Sequence, residues 1–478
     1  MEGARFGGAA LASSGAICAT LGGHPQNSFR EGREMSKASV YIETFGCQMN
    51  VADAERAASR LRAAGYELVG QSAADVVLLN TCSVRARAEQ KVFNRVGEIR
   101  KERGRTLPLI GVMGCVAQLE GDALFERAEG VRMVVGTRAT DRLPLLIERA
   151  LVGARRVVDL GERGEDEGWD ISPVERHSPY VALVPIIEGC NKFCAYCIVP
   201  YSRGRERSRP ASEIIAEAHW LRRAGYHEIQ LIGQNVNSYR PRSETGLEGF
   251  GGATPFSRLL RAVAATGISR VKFTTSFPRD FHADIVAALD EHENLCNWVH
   301  LPAQSGSDRV LRAMRRGYRV ADYMARVEAI RRARRPLALT GDIIVGFPGE
   351  TVEDFRETMR LVEECQYHGL YIFKYSERRG TPAARLPETI SEAEKRSRFL
   401  ELESLQSRIE RKIYRSYVGR RLSVLVEGIS ARDPLDVTGH STCQKVVNGR
   451  GDKGLQGRVV EMRVVEAKAH SLYAEVVP

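Results

Sequence analysis

Three cysteines within eight residues constrain this chain more than any other feature of its sequence. Cys190, Cys194 and Cys197 form a Cys-x3-Cys-x2-Cys motif in the run Glu-Gly-Cys-Asn-Lys-Phe-Cys-Ala-Tyr-Cys-Ile-Val-Pro. Three thiolates at this spacing can bind three irons of a cubic iron–sulfur cluster and leave the fourth iron without a protein ligand. The open iron is a place at which a substrate or cofactor can bind.

Two other interpretations of this motif remain. A zinc site would need a fourth Cys or His at matched spacing, such as a second Cys-x2-Cys, but the next cysteine downstream is Cys296. A thioredoxin-like pair of Cys194 and Cys197 would leave Cys190 unexplained. The iron–sulfur interpretation is therefore favoured over zinc and over a redox dithiol.

Length and composition indicate a multidomain globular protein. The 478 residues are too many for one ordinary core, and 43% hydrophobic with 27% charged residues is a globular composition. No apolar run approaches the roughly 18 residues that span a bilayer, and the ten dispersed cysteines suit a reducing compartment, so we expect a cytoplasmic protein without a membrane segment. The net charge of +10 favours a polyanionic partner but does not identify it.

Residues 1–37 read as an extension outside the folded protein. They are rich in Gly, Ala and Ser and show no apolar periodicity. Without a basic n-region and a clean apolar h-region, a signal peptide is not expected. We expect a disordered tail or a misassigned start, with Met35 just before the first predicted strand.

Residues 38–154 predict a parallel α/β domain. Continuous apolar runs alternate with helical patterns, which is typical of a parallel sheet covered on both faces. The predicted strands are 40–44, 75–80, 108–113 and 131–135, and the predicted helices are 52–64, 86–103, 119–127 and 141–151.

A second set of three cysteines follows the first three of these strands. Cys47, Cys82 and Cys115 each come directly after a predicted strand, in loops that contain Gly, Asn or Thr. Ligands of open parallel sheets bind at the carboxyl ends of the strands, so the three thiols should meet at one edge and form a second metal site. The alternative is three buried structural cysteines, a common fate for this residue.

After a charged linker at 155–175, residues 176–409 predict a second strand–helix series. Six βα units cannot close an eight-unit barrel, so we expect an open (β/α)6 partial TIM barrel with the Cys190 loop after its first strand. The predicted strands are 180–187, 228–232, 270–275, 298–301, 337–345 and 370–375, and a long charged helix, 391–414, ends the domain.

Residues 412–478 switch to short alternating strands. Strands are predicted at 422–427, 445–447, 457–465 and 472–476, with Gly and Asn at the turns. This pattern predicts a small antiparallel β-barrel of oligonucleotide-binding size. Eleven Lys and Arg against seven Asp and Glu give the segment a charge of +4.

These motifs together resemble the radical SAM (S-adenosylmethionine) methylthiotransferases, from Ser39 to the end of the chain. Within that family the chain is most similar to the MiaB-type tRNA enzymes, which join a methylthiotransferase domain, a radical SAM core and a C-terminal TRAM domain. Ala303, where Val is expected, is a minor departure. The matching phrases lie at 46–50, 80–85, 189–204, 231–237, 304–307 and 342–351.

The resemblance implies two 4Fe-4S clusters and SAM. Cys190, Cys194 and Cys197 would hold the cluster that cleaves SAM to a 5′-deoxyadenosyl radical, and no catalytic residue beyond the cluster ligands is predicted. An auxiliary cluster, associated with sulfur insertion, would be held by Cys47, Cys82 and Cys115.

The implied reaction is methylthiolation of N6-(dimethylallyl)adenosine at position 37 of tRNA, next to the anticodon. The implied partners are the tRNA anticodon stem-loop, an electron donor such as a flavodoxin or ferredoxin, and iron–sulfur assembly carriers, with a monomer as the expected state. Alternatives are methylthiolation of threonylcarbamoyladenosine or of a ribosomal-protein aspartate. An alternative of another class is a non-catalytic iron–sulfur protein that binds RNA.

Candidate SAM contacts lie beside the cysteine motif and after later strands of the core. Tyr196 would pack against the SAM adenine or only shield the cluster from water. Five further candidates would bind polar parts of SAM or only form turns. These five are Gly233, Gln234, Asn235, Gln304 and Ser305.

Three groups of arginines suggest contacts with tRNA phosphates, with a solvated basic face as the alternative. The first group is Arg203, Arg205, Arg207 and Arg209, the second is Arg312, Arg315, Arg316 and Arg319, and the third is Arg331, Arg332, Arg334 and Arg335.

The remaining downstream cysteines, Cys296, Cys365 and Cys443, have no partner pattern and are interpreted as structural.

Overall fold

The computed structural model describes residues 37–83, 86–104, 107–161, 169 and 176–477. These residues divide into two compact units. The N-terminal unit contains the described residues up to His177 together with Ile198–Arg205, and the core unit contains Ser178–Cys197 and the residues from Glu206 onward. Apart from Lys37, the predicted extension lies outside the described residues, and the predicted domain boundaries remain predictions.

A six-stranded parallel sheet forms the centre of the N-terminal unit. Its order is β2-β1-β3-β4-β5-β6, so β1, β3 and β4 are direct neighbours. The predicted parallel sheet is therefore confirmed. The strands are β1 (Ser39–Phe45), β2 (Glu67–Leu68), β3 (Val76–Thr81), β4 (Leu109–Gly114), β5 (Val131–Val135) and β6 (Val157–Asp159).

Helices cover both faces of this sheet because alternate strand residues point to opposite sides. Leu78 packs into one apolar cluster, and its neighbours Val77 and Leu79 pack into another on the opposite face. The helices are α1 (Gln48–Ala63), α2 (Ala86–Arg103), α3 (Cys115–Glu120), α4 (Ala123–Arg127), α5 (Leu143–Leu151) and the short α6 (Val199–Arg203).

Two details of this unit correct the sequence prediction. The helix predicted at 119–127 is two helices, α3 and α4, because Gly121 adopts a left-handed φ of 52° between them. The linker predicted at 155–175 begins with strand β6, which adds an edge to the sheet through backbone pairing of Val157 with Met133. Residues 162–168 and 170–175 of that linker lie outside the described residues.

The core unit contains six parallel strands in two three-stranded sheets. A backbone bridge between Val271 and Leu295 joins the sheets ordered β11-β10-β7 and β12-β13-β14. The predicted open (β/α)6 partial barrel is confirmed. The strands are β7 (Val181–Pro185), β10 (Glu228–Ile232), β11 (Arg270–Phe273), β12 (Trp298–His300), β13 (Ala338–Val345) and β14 (Gly369–Lys374), with β8 (Ile187–Glu188) and β9 (Arg207–Ser208) pairing beside them.

One face of these strands is covered by helices, and the other is less completely buried towards the carboxyl ends. On β13, Leu339 and Ile343 are buried among the helices, whereas Asp342 on the opposite face is only half-buried. The covering helices are α7 (Ala211–Arg223), α8 (Pro255–Ala265), α9 (Ala283–Glu291), α10 (Asp308–Ala313), α11 (Val320–Arg331), α12 (Val352–Cys365) and α13 (Glu392–Arg415).

The C-terminal residues form a closed five-stranded barrel of order β15-β16-β17-β19-β18. The predicted small barrel is confirmed with two corrections: β16 was not predicted, and β17 and β19 pair in parallel while the other pairs are antiparallel. The strands are β15 (Arg421–Ile429), β16 (Asp436–Ser441), β17 (Val446–Arg450), β18 (Val459–Ala467) and β19 (Leu472–Val476).

This small barrel is fixed to the amino ends of the core strands by buried polar contacts. His440 on β16 lies with Nε2 2.9 Å from Oε2 of Glu228, the first residue of β10. The guanidinium of Arg270, the first residue of β11, donates to the carbonyl oxygen of His440. The small barrel therefore closes the end of the partial barrel opposite the carboxyl ends of its strands.

Candidate iron–sulfur and SAM sites

The structure places Cys190, Cys194 and Cys197 in one loop at the carboxyl end of the first core strand. Cys190 and Cys194 are 7% and 6% exposed, and Cys197 is half-buried. The amide of Cys197 donates to the carbonyl oxygen of Cys194, and that of Ala195 donates to the carbonyl oxygen of Met314. The loop is thus held by its own backbone and by the core.

Two side chains from other core elements donate hydrogen bonds to this loop's thiols. Nδ2 of Asn235 lies 3.0 Å from Sγ of Cys190, and Nη1 of Arg316 lies 3.3 Å from Sγ of Cys194. Burial raises the pKa of the Cys190 thiol, while the backbone of Lys192 and the amide of Asn235 oppose that rise. Donors that face sulfur stabilise the charged thiolate that an iron requires, so the residues fit a thiolate-bound cluster.

Arg316 is buried in this site. The residue is 5% exposed, and its guanidinium lies 4.4 Å from the ring centroid of Phe277 and donates to the hydroxyls of Tyr196 and Tyr318. A buried cation is stable only beside compensating groups, here the aromatic rings and the sulfur of Cys194. We find no surface available on this side chain for an RNA phosphate.

The predicted SAM contacts differ in whether their polar side-chain atoms already have hydrogen-bond partners within the protein. The hydroxyl of Tyr196 is engaged by Arg316, and the hydroxyl of Ser305 accepts from the amide of Ser307. Oε1 of Gln234 is buried and has no hydrogen-bond partner among the described residues. An unpaired buried acceptor favours a ligand donor at that place, so Gln234 fits the polar part of a cofactor best.

For two further predicted SAM contacts, Gly233 and Gln304, the structure shows constraints on the backbone. A Cβ on Gly233 would lie 2.3 Å from Cγ2 of Ile187, so close packing requires the glycine. Gln304 adopts a left-handed φ of 74° and lies opposite Ile343 of β13, with its amide donating to the carbonyl oxygen of Asp342 and its carbonyl oxygen accepting from the amide of Ile344. Such a conformation is costly for a residue with a side chain and is held here by neighbouring strands.

Sequence reasoning missed two hydroxyls after β11. Oγ1 of Thr274 and Oγ of Ser276 are buried and have no partner among the described residues. Both hydroxyls lie after the carboxyl end of β11, as Cys190 lies after the carboxyl end of β7 and Gly233 after that of β10. The available signal was the run Phe-Thr-Thr-Ser at the end of an apolar strand.

The structure also brings Cys47, Cys82 and Cys115 together, at the carboxyl ends of three adjacent strands of the N-terminal unit. Cys47 precedes the first residue of α1, Cys82 follows β3, and Cys115 is the first residue of α3. A Cβ on Gly46 would lie 2.9 Å from Cβ of Cys82. This glycine therefore permits the close approach of the loops.

Two buried asparagines connect these loops. Nδ2 of Asn50 donates to the carbonyl oxygen of Thr81, and Nδ2 of Asn80 donates back to the carbonyl oxygen of Asn50 at 2.7 Å. The hydrogen bond from Cys82 and the positive charge of Arg203 lower the pKa of the Cys47 thiol to about 6 although burial opposes them. Burial raises the pKa of the Cys115 thiol, and Arg203 opposes that rise.

Across the described residues, no three Cys, His, Asp or Glu side chains converge on the position of a single metal ion. The thiolates of a cubic cluster bind three separate irons, so they stand further apart than the ligands of one ion. Cys296, Cys365 and Cys443 are buried, and Cys443 contacts Ser441.

The arginine prediction is wrong for three residues. The side chains of Arg203, Arg209 and Arg316 are buried, and Arg203 and Arg209 are paired with Asp53 and Glu217. Arg334 and Arg335 lie beyond α11, which ends at Arg331, because proline at 336 disfavours helix before it. Arg207 and Arg335 are half-buried, and the exposed members are Arg205, Arg312, Arg315, Arg319, Arg331, Arg332 and Arg334.

Comparison with known proteins agrees with this architecture. Residues 39–136 match the uncharacterized protein family UPF0004, residues 184–362 the radical SAM superfamily and residues 415–477 the TRAM domain. The radical SAM methyltransferase TsrM from Kitasatospora setae superposes with a TM-score of 0.53 at 14% identity, over 73% of this chain and 77% of TsrM, which supports the fold. The fold and the cysteine loop define a radical SAM enzyme, a class that uses SAM and a 4Fe-4S cluster.

Two bacterial relatives named tRNA-2-methylthio-N(6)-dimethylallyladenosine synthase define the family more closely. The protein of Solibacter usitatus (strain Ellin6076) is 43% identical over 447 residues, 92% of this chain and 98% of the relative. The protein of Geobacter sulfurreducens is 43% identical over 442 residues, which cover 92% of this chain and 97% of that relative. The chain therefore belongs to the tRNA-2-methylthio-N(6)-dimethylallyladenosine synthase family, which confirms the resemblance read from its motifs. No helix in the described parts is long and apolar enough to cross a membrane.

Proposed function

We propose that this protein converts N6-(dimethylallyl)adenosine at position 37 of tRNA into its 2-methylthio derivative. The observation that supports this most is the second cysteine set, Cys47, Cys82 and Cys115, at one edge of the N-terminal sheet. A radical SAM enzyme that only cleaves SAM needs one cluster, whereas delivery of sulfur calls for a second site. The names of relatives that align over nine tenths of the chain support the same substrate.

In this proposal Cys190, Cys194 and Cys197 hold the cluster that binds SAM. When bound, the pair supplies a 5′-deoxyadenosyl radical, and SAM also supplies the methyl group. Asn235 and Arg316 stabilise the charge on two of the thiolates. Gln234, Thr274 and Ser276 offer buried polar atoms to the cofactor.

The second 4Fe-4S cluster is held by Cys47, Cys82 and Cys115. Asn50 and Asn80 fix the loops that present these cysteines, so their thiols are positioned before a cluster arrives. Arg203 places a positive charge beside Cys47 and Cys115. An anionic cluster at this place is therefore compensated by the protein.

Exposed arginines beside Arg316 bind the tRNA backbone. Arg312, Arg315 and Arg319 are exposed within four residues of Arg316, which contacts Cys194. Phosphate contacts at this position hold the anticodon loop, and base 37 leaves its stack to reach the site. The positively charged TRAM barrel adds further phosphate contacts.

The remaining partners follow from the chemistry. Reduction of a cluster requires an electron donor such as a flavodoxin or ferredoxin, and loading requires iron–sulfur assembly carriers. We place the protein in the cytoplasm as a monomer.

The decisive experiment is nucleoside mass spectrometry of tRNA containing N6-(dimethylallyl)adenosine. The tRNA is incubated anaerobically with cluster-reconstituted protein, SAM and a reductant. We expect a 2-methylthio-N6-(dimethylallyl)adenosine peak, which disappears in C47A and in C190A. C365A, which removes a buried cysteine of α12, is the matched control and should keep the peak.

The other outcomes separate the alternatives. SAM cleavage without the peak would reject this substrate and direct the assay to threonylcarbamoyladenosine tRNA and to the ribosomal protein. No SAM cleavage by protein with a reduced cluster would reject the enzyme and favour a non-catalytic RNA-binding role.

A further inference from the structure

The inner face of the core strands, opposite the helices, carries polar and aromatic side chains that neither cysteine site uses. Val299 and Ile343 lie in the apolar cluster under the helices, and Ile372 packs against that cluster. Because successive strand residues point to opposite sides, the neighbours of these three residues face inward. Three of those neighbours form the inner row: His300 of β12, Asp342 of β13 and Tyr371 of β14.

The members of the inner row lie against one another across three neighbouring strands. Asp342 pairs in register with Tyr371. Nε2 of His300 lies 3.4 Å from Oδ1 of Asp342, and the ring centroid of His300 lies 6.0 Å from that of Tyr371 with an interplanar angle of 78°. A carboxylate, an imidazole and a phenol ring therefore share one surface.

His300 is fixed so that its ring points at Asp342. The ring stacks on Trp298 with centroids 5.8 Å apart and an interplanar angle of 7°, and Nδ1 lies 3.1 Å from Oγ1 of Thr340. A carboxylate only accepts hydrogen bonds, so the Nε2 that faces it carries the hydrogen. Backbone pairing already joins β12 to β13 along the whole of β12, so the strands do not need this side-chain pair to stay together.

Asp342 keeps unused capacity to accept hydrogen bonds. Its side chain is 24% exposed, and His300 is its sole side-chain partner among the residues that the structure describes. An ionised carboxylate offers about four acceptor positions, and a largely buried one is costly unless donors surround it. The side chain therefore suits a donor that arrives with a ligand.

The inner row adjoins residues that are candidates for contact with SAM. The amide of Gln304 donates to the carbonyl oxygen of Asp342 at 2.8 Å, and the amide of Ser276 donates to that of His300 at 3.2 Å. Oγ of Ser276 is buried and has no partner among the described residues. A ligand on the inner row would thus lie beside the candidate cofactor site.

The base of the proposed substrate has a single hydrogen-bond donor. In N6-(dimethylallyl)adenosine the N6 nitrogen keeps one hydrogen, whereas the unsubstituted ring nitrogens only accept. An acceptor-only carboxylate therefore complements the N6–H and no other atom of the base. A base that has left its stack is also held by aromatic rings, and Tyr371 supplies a ring beside the carboxylate.

We propose that Asp342 determines specificity by accepting a hydrogen bond from the N6–H of base 37, and that His300 is a positioning residue that holds the carboxylate for this contact. The contact fixes which edge of the base faces the cofactor. This inference rests on the proposed function, because it takes N6-(dimethylallyl)adenosine as the substrate. A carboxylate that only supported the fold would not distinguish one base from another.

The test replaces the N6–H of the base by an oxygen atom. Two anticodon stem-loop RNAs carry at position 37 either N6-(dimethylallyl)adenosine or 6-(dimethylallyloxy)purine riboside, which keeps C2–H and lacks N6–H. For each RNA, kcat/KM of methylthiolation and binding without reductant are measured with cluster-reconstituted protein, and SAM binding is measured by equilibrium dialysis. The wild type is compared with D342N, H300L, H300Q and the control E363Q, which removes an exposed carboxylate of α12.

We expect the wild type to prefer the RNA with N6–H by about tenfold or more, as for a hydrogen bond to a charged group. D342N should bring this preference close to one, because an amide can accept from N6–H or donate to the oxygen. H300L should lose part of the preference and H300Q should regain it, because the glutamine amide can donate to Asp342. E363Q should match the wild type, and all variants should bind SAM equally.

The outcomes separate this inference from the proposed function. No product from the wild type with the dimethylallyladenosine RNA would overturn both. Product formed from both RNAs without preference in the wild type would overturn the role of Asp342 alone, and this result needs no variant to fold. A preference that persists in D342N would do the same, and weaker SAM binding in that variant would then assign Asp342 to the cofactor. A full preference in H300L would overturn the role of His300.

Discussion

The side-chain amide of Asn235 donates a hydrogen bond to Sγ of Cys190 at 3.0 Å, across 45 residues of sequence. Both residues follow carboxyl ends of neighbouring strands, β10 and β7, which pair in parallel. Sequence reasoning placed Asn235 beside the polar parts of SAM. In the structure its amide faces the sulfur of a predicted cluster ligand.

Removing this amide should weaken the first cluster more than the fold. In N235L we expect cluster loss to a chelator to be about tenfold faster, a common cost of losing a group that contacts a metal ligand. N237L is the matched control, since Asn237 makes two hydrogen bonds to the backbone of Phe277 instead. It should lower the melting temperature and keep the cluster; equal retention in both variants would contradict the assignment.

Arg316 should matter through its charge. R316M is expected to lose the first cluster about tenfold faster, because a hydrogen bond from a charged donor to Cys194 is removed. R316K should be intermediate. Iron content and EPR spectra in a C47A/C82A/C115A background provide the measurement. Wild-type retention in R316M would show that Arg316 serves the fold alone.

Gly233 should be sensitive to a single methyl group. In G233A the new Cβ meets Cγ2 and the carbonyl oxygen of Ile187 at 2.3 and 2.7 Å, which should cost about 1–3 kcal/mol of unfolding free energy. G251A, where nothing lies within 4 Å, should melt like the wild type. Calorimetry of the cluster-free protein measures this. An unchanged melting temperature with weaker SAM binding would instead support a direct cofactor contact.

The contact between His440 and Glu228 should make stability depend on alkaline pH. Burial alone lowers the pKa of His440, but the charges and hydrogen bonds of Glu228 and Glu427 raise it from 6.5 to about 9. A raised histidine pKa stabilises the fold fully below the unfolded pKa, and this stabilisation is lost as pH rises through about 9.

H440Q should therefore destabilise the protein at pH 7 by on the order of 2–3 kcal/mol and much less at pH 10. Urea midpoints of the variant and the wild type at both pH values give the measurement, and H219Q, an exposed histidine of α7, is the control. A difference that stays the same at both pH values would contradict a charged His440.

Strands rich in apolar residues could be predicted, because burial of one or both faces leaves a local pattern in the sequence. Residues 131–135, 228–232 and 472–476 were assigned with the bounds that the structure has. Strand β16, Asp-Val-Thr-Gly-His-Ser, has few apolar residues and was missed. It is held by backbone pairing to two neighbouring strands, which its own sequence does not reveal.

The cysteine sets could be predicted because each follows a strand, and topology brings strand ends together. The roles of the arginines could not. Arg316 lies 122 residues from Cys194, and Arg203 lies 150 residues from Asp53. Whether such a side chain is exposed or buried depends on which distant segment packs over it, so a local run of arginines gives no answer.

The assignment of α6 to the N-terminal unit has a practical consequence for dissecting this protein. The segment Ile198–Arg205 belongs to the N-terminal unit, whereas the residues before it, up to Cys197, and after it, from Glu206, belong to the core unit. A truncated protein that starts at Ser178 would keep every core strand but deprive α6 of Thr137 and Asp53, and would uncover Ser202 and the buried side chain of Arg203. The cysteine loop of the core would then continue into a segment whose polar and charged groups have lost the partners described above. The core should therefore be studied in the intact chain.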